Sequence, residues 1–132
     1  MTSLTLQVHG DADVDTAWER YADLALWSTW APQIQRVDAD SDRLHAGLTG
    51  TVRAGLLPRP TLPVRFEVLT VDEARREWTW RAHVGPVSML LDHGVVGETS
   101  GSSTWLRVSG PLPVVAPYAP LARLALRRLV AA

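Results

Sequence analysis

The amino-acid sequence predicts an α+β protein in which a curved antiparallel sheet of seven strands packs against helices. Between Ile34 and Ser109, apolar and polar residues alternate and turn residues recur at intervals, which is typical of an antiparallel meander. Segments on both sides of this stretch instead carry apolar residues three and four positions apart, the spacing of amphipathic helices. Sheet and helices therefore occupy separate stretches of the chain.

A strand and two short helices are predicted first. Residues 2–9 alternate, with leucines and a valine on one face, and form the first strand. Residues 10–13 supply a turn that ends in an aspartate suited to cap a helix. The helix begins at Val14, and its apolar residues follow at i, i+3, i+4 and i+7. A second helical stretch, 24–30, ends before Pro32, because a proline disfavours helical geometry in the residue before it.

Six further strands are predicted within the meander. They lie at 34–39, 45–54, 62–72, 76–84, 87–97 and 103–110. Alternation assigns a face to each side chain, but the strand at 87–97 is irregular because Leu90 and Val96 lie on the face opposite His93. Either this strand is covered on both faces, or Gly94 and Gly97 introduce bulges that switch the faces.

The chain is predicted to end in a long helix. Its inward face is expected to hold four residues: Leu121, Leu124, Ala125 and Leu129. The start of this helix is left open, because Pro113, Pro117 and Pro120 each suit a first turn but cannot all lie inside one straight helix.

Length and composition exclude several classes of function. A chain of 132 residues, 46% of them apolar, predicts a single domain spanning 1–132. Neither cysteine nor lysine occurs, which excludes disulfides, thiolate nucleophiles and Schiff-base chemistry. The four histidines show no metal-binding spacing, so no metal or other cofactor is expected.

Charge and hydropathy bear on partners and location. The net charge of −1 argues against a nucleic-acid partner. The longest stretch without charged residues is too short and too rich in proline to span a bilayer, so no integral membrane segment is expected. No secretory signal is visible at the N-terminus, and a cytoplasmic location is expected.

Several short motifs occur in a recognisable order. They are the capped helix start at 12–18, the Trp-Ala-Pro-Gln-Ile segment at 30–34, the paired glycines at 47–50, His93, and the Gly-Ser-Ser-Thr turn at 101–104. With the order of elements, they resemble the START-like (SRPBCC) superfamily, and especially its polyketide cyclase/dehydrase-like members. The resemblance implies a helix-grip fold, with the C-terminal helix packed across the concave face of the sheet around an apolar cavity. The superfamily includes ligand carriers, cyclases, hydroxylase domains and chaperone-associated modules, so the activity stays open.

A cavity under the C-terminal helix is the predicted binding site. Its predicted ligand-binding wall consists of Trp30, Phe66, Trp78, Trp80, Met89, Leu91, His93, Tyr118, Leu121 and Leu124. The alternative is that these large side chains fill a packed core. The apolar loop at 56–60 is either a gate at the cavity mouth or a rigid crossing with two leucines in the core.

His93 is the candidate catalytic residue. A histidine on an apolar inward face is suited to orient a ligand carbonyl or to transfer a proton near neutral pH. The alternative is a core histidine with satisfied hydrogen bonds. Asp92 does not form a dyad with His93 unless a bulge intervenes, because successive strand residues point to opposite faces.

Three functions follow as alternatives. The first is binding of a small hydrophobic or aromatic molecule. The second is an enzyme of the polyketide cyclase/dehydratase kind that uses His93, without metal, for proton transfer. The third is an interaction module whose cavity is closed. Trp105, predicted on the outer sheet face, also leaves a homodimer open.

Overall fold

The computed structural model describes residues 2–55 and 61–132, so the loop at 56–60, predicted to be either a gate or a rigid crossing, lies outside the described residues. The strands are β1 (Thr2–Gly10), β2 (Ile34–Ala39), β3 (Thr49–Ala54), β4 (Leu62–Asp72), β5 (Glu77–Val84), β6 (Val87–Gly97) and β7 (Ser102–Gly110). The helices are α1 (Val14–Ala22), α2 (Trp27–Trp30) and α3 (Leu112–Leu129), and a 3-10 turn, Leu24–Leu26, precedes α2. The predicted α+β helix-grip fold is confirmed.

The seven strands form one antiparallel sheet in the order β1-β7-β6-β5-β4-β3-β2. Consecutive strands from β2 to β7 are neighbours, as in a meander, and β1 pairs along β7 from Thr2 with Gly110 to Gly10 with Ser102. The register shifts once between β2 and β3 and once between β4 and β5. Such irregularities bend a strand and raise its twist, which suits a sheet that curves around a helix.

The predicted cap of α1 is confirmed. The Asp13 carboxylate accepts a hydrogen bond of 2.7 Å from the backbone amide of Thr16, which satisfies one of the free amides of the first turn. Ala17, Trp18 and Tyr21 are buried on one side of this helix. That side packs against β6 and β7, on the inner face of the sheet.

β3 begins later than predicted. The sequence pattern predicts a strand from residue 45, whereas β3 starts at Thr49. Gly47 has a φ of 91°, a left-handed conformation that an extended strand does not contain. The turn still joins the sheet, because the amide of Gly47 donates to the carbonyl of Val68 in β4 over 2.8 Å.

Neither alternative describes the whole of β6: its outer face is covered at Gly94, but Val96 on the same face is 50% exposed. Its pairing with β5 and β7 runs without a register shift from Val87 to Gly97. Trp105 lies on the outer face, as predicted, and its indole covers Gly94, where a Cβ atom would overlap the ring. An alanine at position 94 would therefore displace Trp105. The indole also accounts for burial of an outward-facing glycine.

α3 is one continuous helix that contains all three prolines, which the sequence pattern argued against. Pro113 lies in the first turn, where its missing N–H costs nothing. Pro117 and Pro120 lie inside the helix but on its exposed side, so water can reach the carbonyls that lose their amide partners. Among the described residues, no helix has the length and hydropathy needed to cross a membrane.

The buried stripe of α3 shares Ala125 and Leu129 with the predicted one but excludes Leu124 and includes two residues that were not predicted. The most buried residues of its second half are Ala122, Ala125, Leu126 and Leu129. Leu124 is 40% exposed, so the prediction that it faces the sheet is wrong. The angle between successive helical residues explains the error: Leu124 lies about 100° from Ala125 and about 140° from Leu129 around the helix axis.

The C-terminal end of α3 is fixed to α1 by Arg20. Nη1 of Arg20 lies 3.2 Å from the carbonyl oxygen of Arg128 and 2.6 Å from those of Leu129 and Ala131. The last carbonyls of a helix have no intrahelical partner, so a guanidinium at this position satisfies them and complements the negative end of the helix dipole. The contact ties the C-terminal end of α3 to α1.

Replacing Arg20 with alanine is expected to lower the free energy of unfolding by about 1–3 kcal/mol, the usual worth of hydrogen bonds to a charged group. Urea unfolding monitored by circular dichroism measures the change. Arg75→Ala is the matched control, because Arg75 is exposed in a turn between β4 and β5. Equal losses in the two variants would show that the contacts of Arg20 contribute nothing specific.

Candidate functional site

A cavity of about 380 Å³ lies between the inner face of the sheet, α2 and α3. Ligand pockets in proteins usually measure roughly 300–1,000 Å³, so this space can hold a small molecule. Residues from β2 to β7 supply one wall: Ile34, Val52, Ala54, Leu62, Val64, Trp78, Trp80, Ala82, Val84, Met89, Leu91, His93 and Leu106. The rest of the described lining comes from α2, the following loops and α3: Trp27, Trp30, Ala31, Gln33, Gly55, Tyr118, Leu121, Ala122, Ala125 and Leu126.

Small side chains account for the open space. Trp78 and Trp80 precede Ala82 on the inward face of β5, so the wall steps down from two indoles to a methyl group. On α3, Ala122 and Ala125 line the same cavity. A close-packed interior needs large side chains to meet small ones across the core. Here alanines lie on both walls, and a void results.

Eight of the ten predicted wall residues line the cavity. They are Trp30, Trp78, Trp80, Met89, Leu91, His93, Tyr118 and Leu121. Phe66 is buried behind the wall, with its ring centroid 5.7 Å from that of Trp27 and 5.8 Å from that of Trp80. Leu124, turned toward solvent, does not line the cavity.

Several lining residues were not predicted. Ala82 shares the parity of Trp78 and Trp80, so alternation contained the signal. Ala122 and Ala125 lie on the apolar stripe of α3, but their small size gives little pattern to detect. Trp27 lies in a helix of only four residues, which is too short to display a periodicity.

Partly exposed lining residues mark the cavity mouth. Leu62, at the start of β4, is 53% exposed, although it is a large apolar residue. Met89 near the β5–β6 turn and Tyr118 and Leu121 on α3 are partly exposed. The mouth therefore lies where these three elements meet, and its rim is apolar.

His93 belongs to a directional chain of buried hydrogen bonds. Nε1 of Trp80 donates to Nε2 of His93 over 3.0 Å. An indole N–H only donates, so the histidine proton is on Nδ1, which donates to the Tyr21 hydroxyl at 3.2 Å. Tyr21 in turn donates to Thr104 Oγ1 over 2.6 Å, and Thr104 donates to the carbonyl of Gly94 over 2.9 Å.

This arrangement keeps His93 neutral. Burial lowers the pKa of His93 from 6.5 to about 3. Its ring also stacks on Trp78, with centroids 4.6 Å apart and an angle of 11° between the planes. Because both ring nitrogens are engaged, these contacts favour the core-histidine alternative over proton transfer. The catalytic role of His93 stays a prediction.

Asp92 lies on the opposite face of β6, as the alternation requires. Its carboxylate accepts a hydrogen bond of 2.6 Å from the Thr79 hydroxyl on the neighbouring strand. It forms no dyad with His93 among the described contacts. Nor does any group of three or more His, Asp or Glu side chains in the described ranges have an arrangement suited to a metal ion.

The remaining polar groups of the wall divide into paired and unpaired ones. Trp27 donates from Nε1 to the carbonyl of Tyr21 over 2.8 Å, and Trp30 donates to that of Arg20 over 2.7 Å. Nε1 of Trp78 and Oε1 of Gln33 are buried without a partner among the described residues. None of the described lining residues is Asp, Glu or Arg. The site offers shape and apolar contact, with few polar groups.

Comparison with known proteins gives the same architecture. In the di-domain ARO/CYC BexL from the BE-7585A biosynthetic pathway, the match has a TM-score of 0.81 at 16% identity and covers 98% of this chain and 45% of that one. A protein from Nitrosospira multiformis matches with a TM-score of 0.78 at 15% identity, covering 98% and 94% of the two chains. A Thalictrum flavum norcoclaurine synthase point mutant, in complex with a transition-state analogue, matches with a TM-score of 0.64 at 17% identity, covering 98% and 93%. These likenesses establish the fold.

The sequence itself assigns the family. No curated protein sequence matches the chain. Residues 1–132 match the family described as polyketide cyclase / dehydrase and lipid transport, which agrees with the predicted START-like resemblance. The family and the fold support hydrophobic ligand binding at a general level. This chain therefore belongs to the polyketide cyclase / dehydrase and lipid transport family.

Proposed function

We propose that this protein binds a small hydrophobic or aromatic molecule in the cavity under α3. The observation that carries the proposal is the apolar lining of a space of about 380 Å³ with a mouth at Leu62, Met89 and Leu121. An unfilled apolar space forfeits the dispersion contacts that its walls would otherwise make. A bound apolar molecule restores them, and four indoles on the wall favour a ring system.

Ala122→Phe is expected to weaken binding of the neutral fluorophore 1-aminoanthracene by at least about tenfold, which corresponds to about 1.4 kcal/mol. Ala122 is buried on α3 and lines the cavity, so a phenyl ring there occupies space that the ligand needs. Binding is measured by energy transfer from the tryptophans that line the cavity to the fluorophore.

Ala116→Phe provides the matched control, since Ala116 lies on the exposed side of the same helix. It should bind the fluorophore as the wild type does. Equal affinity in the wild type and Ala122→Phe would locate the fluorophore elsewhere and would contradict the proposal. Native mass spectrometry of the freshly purified protein gives a second test, because a co-purified molecule should be lost from Ala122→Phe.

The other two functions differ from binding in testable ways. A cyclase or dehydratase that uses His93 would lose turnover in His93→Gln while retaining affinity for its substrate. An interaction module with a closed interior would need the space under α3 to be filled, and the cavity argues against that.

A homodimer through the face that carries Trp105 stays a prediction. Analytical ultracentrifugation measures the oligomeric state and tests it.

A further inference from the structure

Tyr118 brings a phenol into the apolar cavity from α3. The residue lines the cavity, and no hydrogen bond to another described residue involves its hydroxyl. Burial raises the pKa of Tyr21, and a smaller electrostatic contribution from Tyr118 raises it further, so the two phenols lie within electrostatic range of each other. A polar group in such surroundings gains from a partner, because an unmade hydrogen bond in an apolar environment costs free energy.

Other polar groups of the described wall are less available. Trp80 and His93 bond to each other, and Trp27 and Trp30 donate to backbone carbonyls. Nε1 of Trp78 and Oε1 of Gln33 have no partner among the described residues but are sealed by surrounding atoms, whereas Tyr118 lines the cavity and is partly exposed. Tyr118 thus combines access to the cavity with a hydroxyl that no described residue engages in a hydrogen bond.

The chemistry of the phenol defines what it can recognise. Burial raises the pKa of Tyr118 to about 12, so the hydroxyl keeps its proton at neutral pH and can donate it. An anionic ligand would also accept this hydrogen bond, but it would have to leave water for a wall whose described residues carry no cation. An uncharged acceptor avoids that cost.

We infer that Tyr118 donates a hydrogen bond to the ligand, and that the cavity therefore prefers an uncharged apolar molecule with a carbonyl-type acceptor oxygen. This inference rests on the proposed ligand binding and adds the chemical class of the ligand to it. Tyr118 acts as a specificity-determining residue. The indoles and aliphatic side chains hold the apolar body, and the phenol sets its orientation.

Three probes with the same two-ring skeleton test the inference by displacement of 1-aminoanthracene. They are 2-acetylnaphthalene, which carries a carbonyl, 2-ethylnaphthalene, which lacks it, and the anion 2-naphthoate. In the wild type, the acetyl compound should bind about fivefold to tenfold more tightly than the ethyl compound, the usual effect of one net hydrogen bond. The anion should bind more weakly than the acetyl compound.

Tyr118→Phe should reduce the ratio of acetyl to ethyl affinity to about one, since only the hydroxyl is removed. The matched control is Tyr21→Phe: Tyr21 is fully buried, does not line the cavity, and bonds to Thr104. That variant should keep the wild-type ratio. The ratio is read on variants whose circular dichroism shows that they are folded.

Each other outcome has a distinct meaning. A preference for the acetyl compound that survives in Tyr118→Phe would overturn the hydrogen bond and leave ligand binding intact. Equal binding of both neutral probes to the wild type would do the same, and tightest binding of 2-naphthoate would overturn the preference for an uncharged ligand. Failure of both neutral probes to displace the fluorophore from the wild type would overturn the proposed function and this inference with it.

Discussion

Acidification from pH 7 to pH 4.5 is expected to lower the free energy of unfolding by about 2–3 kcal/mol through His93 alone. Burial lowers the pKa of this residue from 6.5 to about 3 in the folded protein. Below pH 6.5 the unfolded chain therefore binds a proton that the folded protein does not bind. The contribution of neutral His93 to stability is complete above pH 6.5 and is lost progressively as the pH falls toward 3.

Urea unfolding at several pH values between 7 and 4.5 measures this effect. Hydrogen bonds from Thr16, Arg36 and Trp18 lower the pKa values of Asp13, Asp38 and Glu73, respectively, so their contributions are lost mainly below this window, and Glu73 begins to lose its own near pH 4.5. The contributions of those carboxylates to protein stability are lost as the pH falls from their unfolded pKa values, 3.8 for the aspartates and 4.5 for the glutamate, through their lower folded values.

His93→Gln should remove most of the pH dependence, because an amide keeps one donor and one acceptor for Tyr21 and Trp80 but does not titrate. Its stability at pH 7 also reports how well the amide replaces the imidazole. His45→Gln changes an exposed histidine and should keep the wild-type profile. An unchanged slope in His93→Gln would mean that the buried imidazole is not the group responsible.

Local patterns predicted most of the fold because each element is specified by neighbouring residues. The predicted limits of β2, β4 and β6 equal the observed ones, since alternation and turn residues mark both ends of these strands. Gly47 shows where a local pattern fails, because the residues around it alternate while its backbone is left-handed. Leu124 shows a second failure, since its exposure depends on how α3 rotates against the sheet.

The cavity itself could be predicted only in part. Alternation on β5 and β6 places tryptophans, Met89 and Leu91 on the inward face, but it does not reveal whether the facing helix fills the space between them. That depends on Ala122 and Ala125 lying across from Ala82, a relation between distant parts of the chain. The partners of His93 are equally remote: Tyr21 precedes it by 72 residues. Without the tertiary structure, a core histidine and a catalytic one give the same local pattern.

Trp27→Ala is expected to lower the free energy of unfolding by about 3–5 kcal/mol, the usual cost of removing a large buried aromatic side chain. Trp27 is 1% exposed, and its ring lies 5.5 to 5.7 Å, centroid to centroid, from those of Phe66, Trp78 and Trp80. The substitution also removes the indole that donates to the carbonyl of Tyr21, and an unpaired buried carbonyl adds to the loss.

Trp105→Ala is the matched control, because it removes the same side chain from the outer face, where Trp105 is only partly buried. Its effect on urea unfolding should be clearly smaller, and equal losses of stability would contradict the central role of Trp27.

Since Trp27 also lines the cavity, its removal enlarges the space open to a ligand. A ligand that binds the folded state raises its stability. Saturating 1-aminoanthracene should therefore raise the melting temperature of Trp27→Ala. If the melting temperature rose in neither Trp27→Ala nor the wild type, ligand binding at this aromatic cluster would be contradicted.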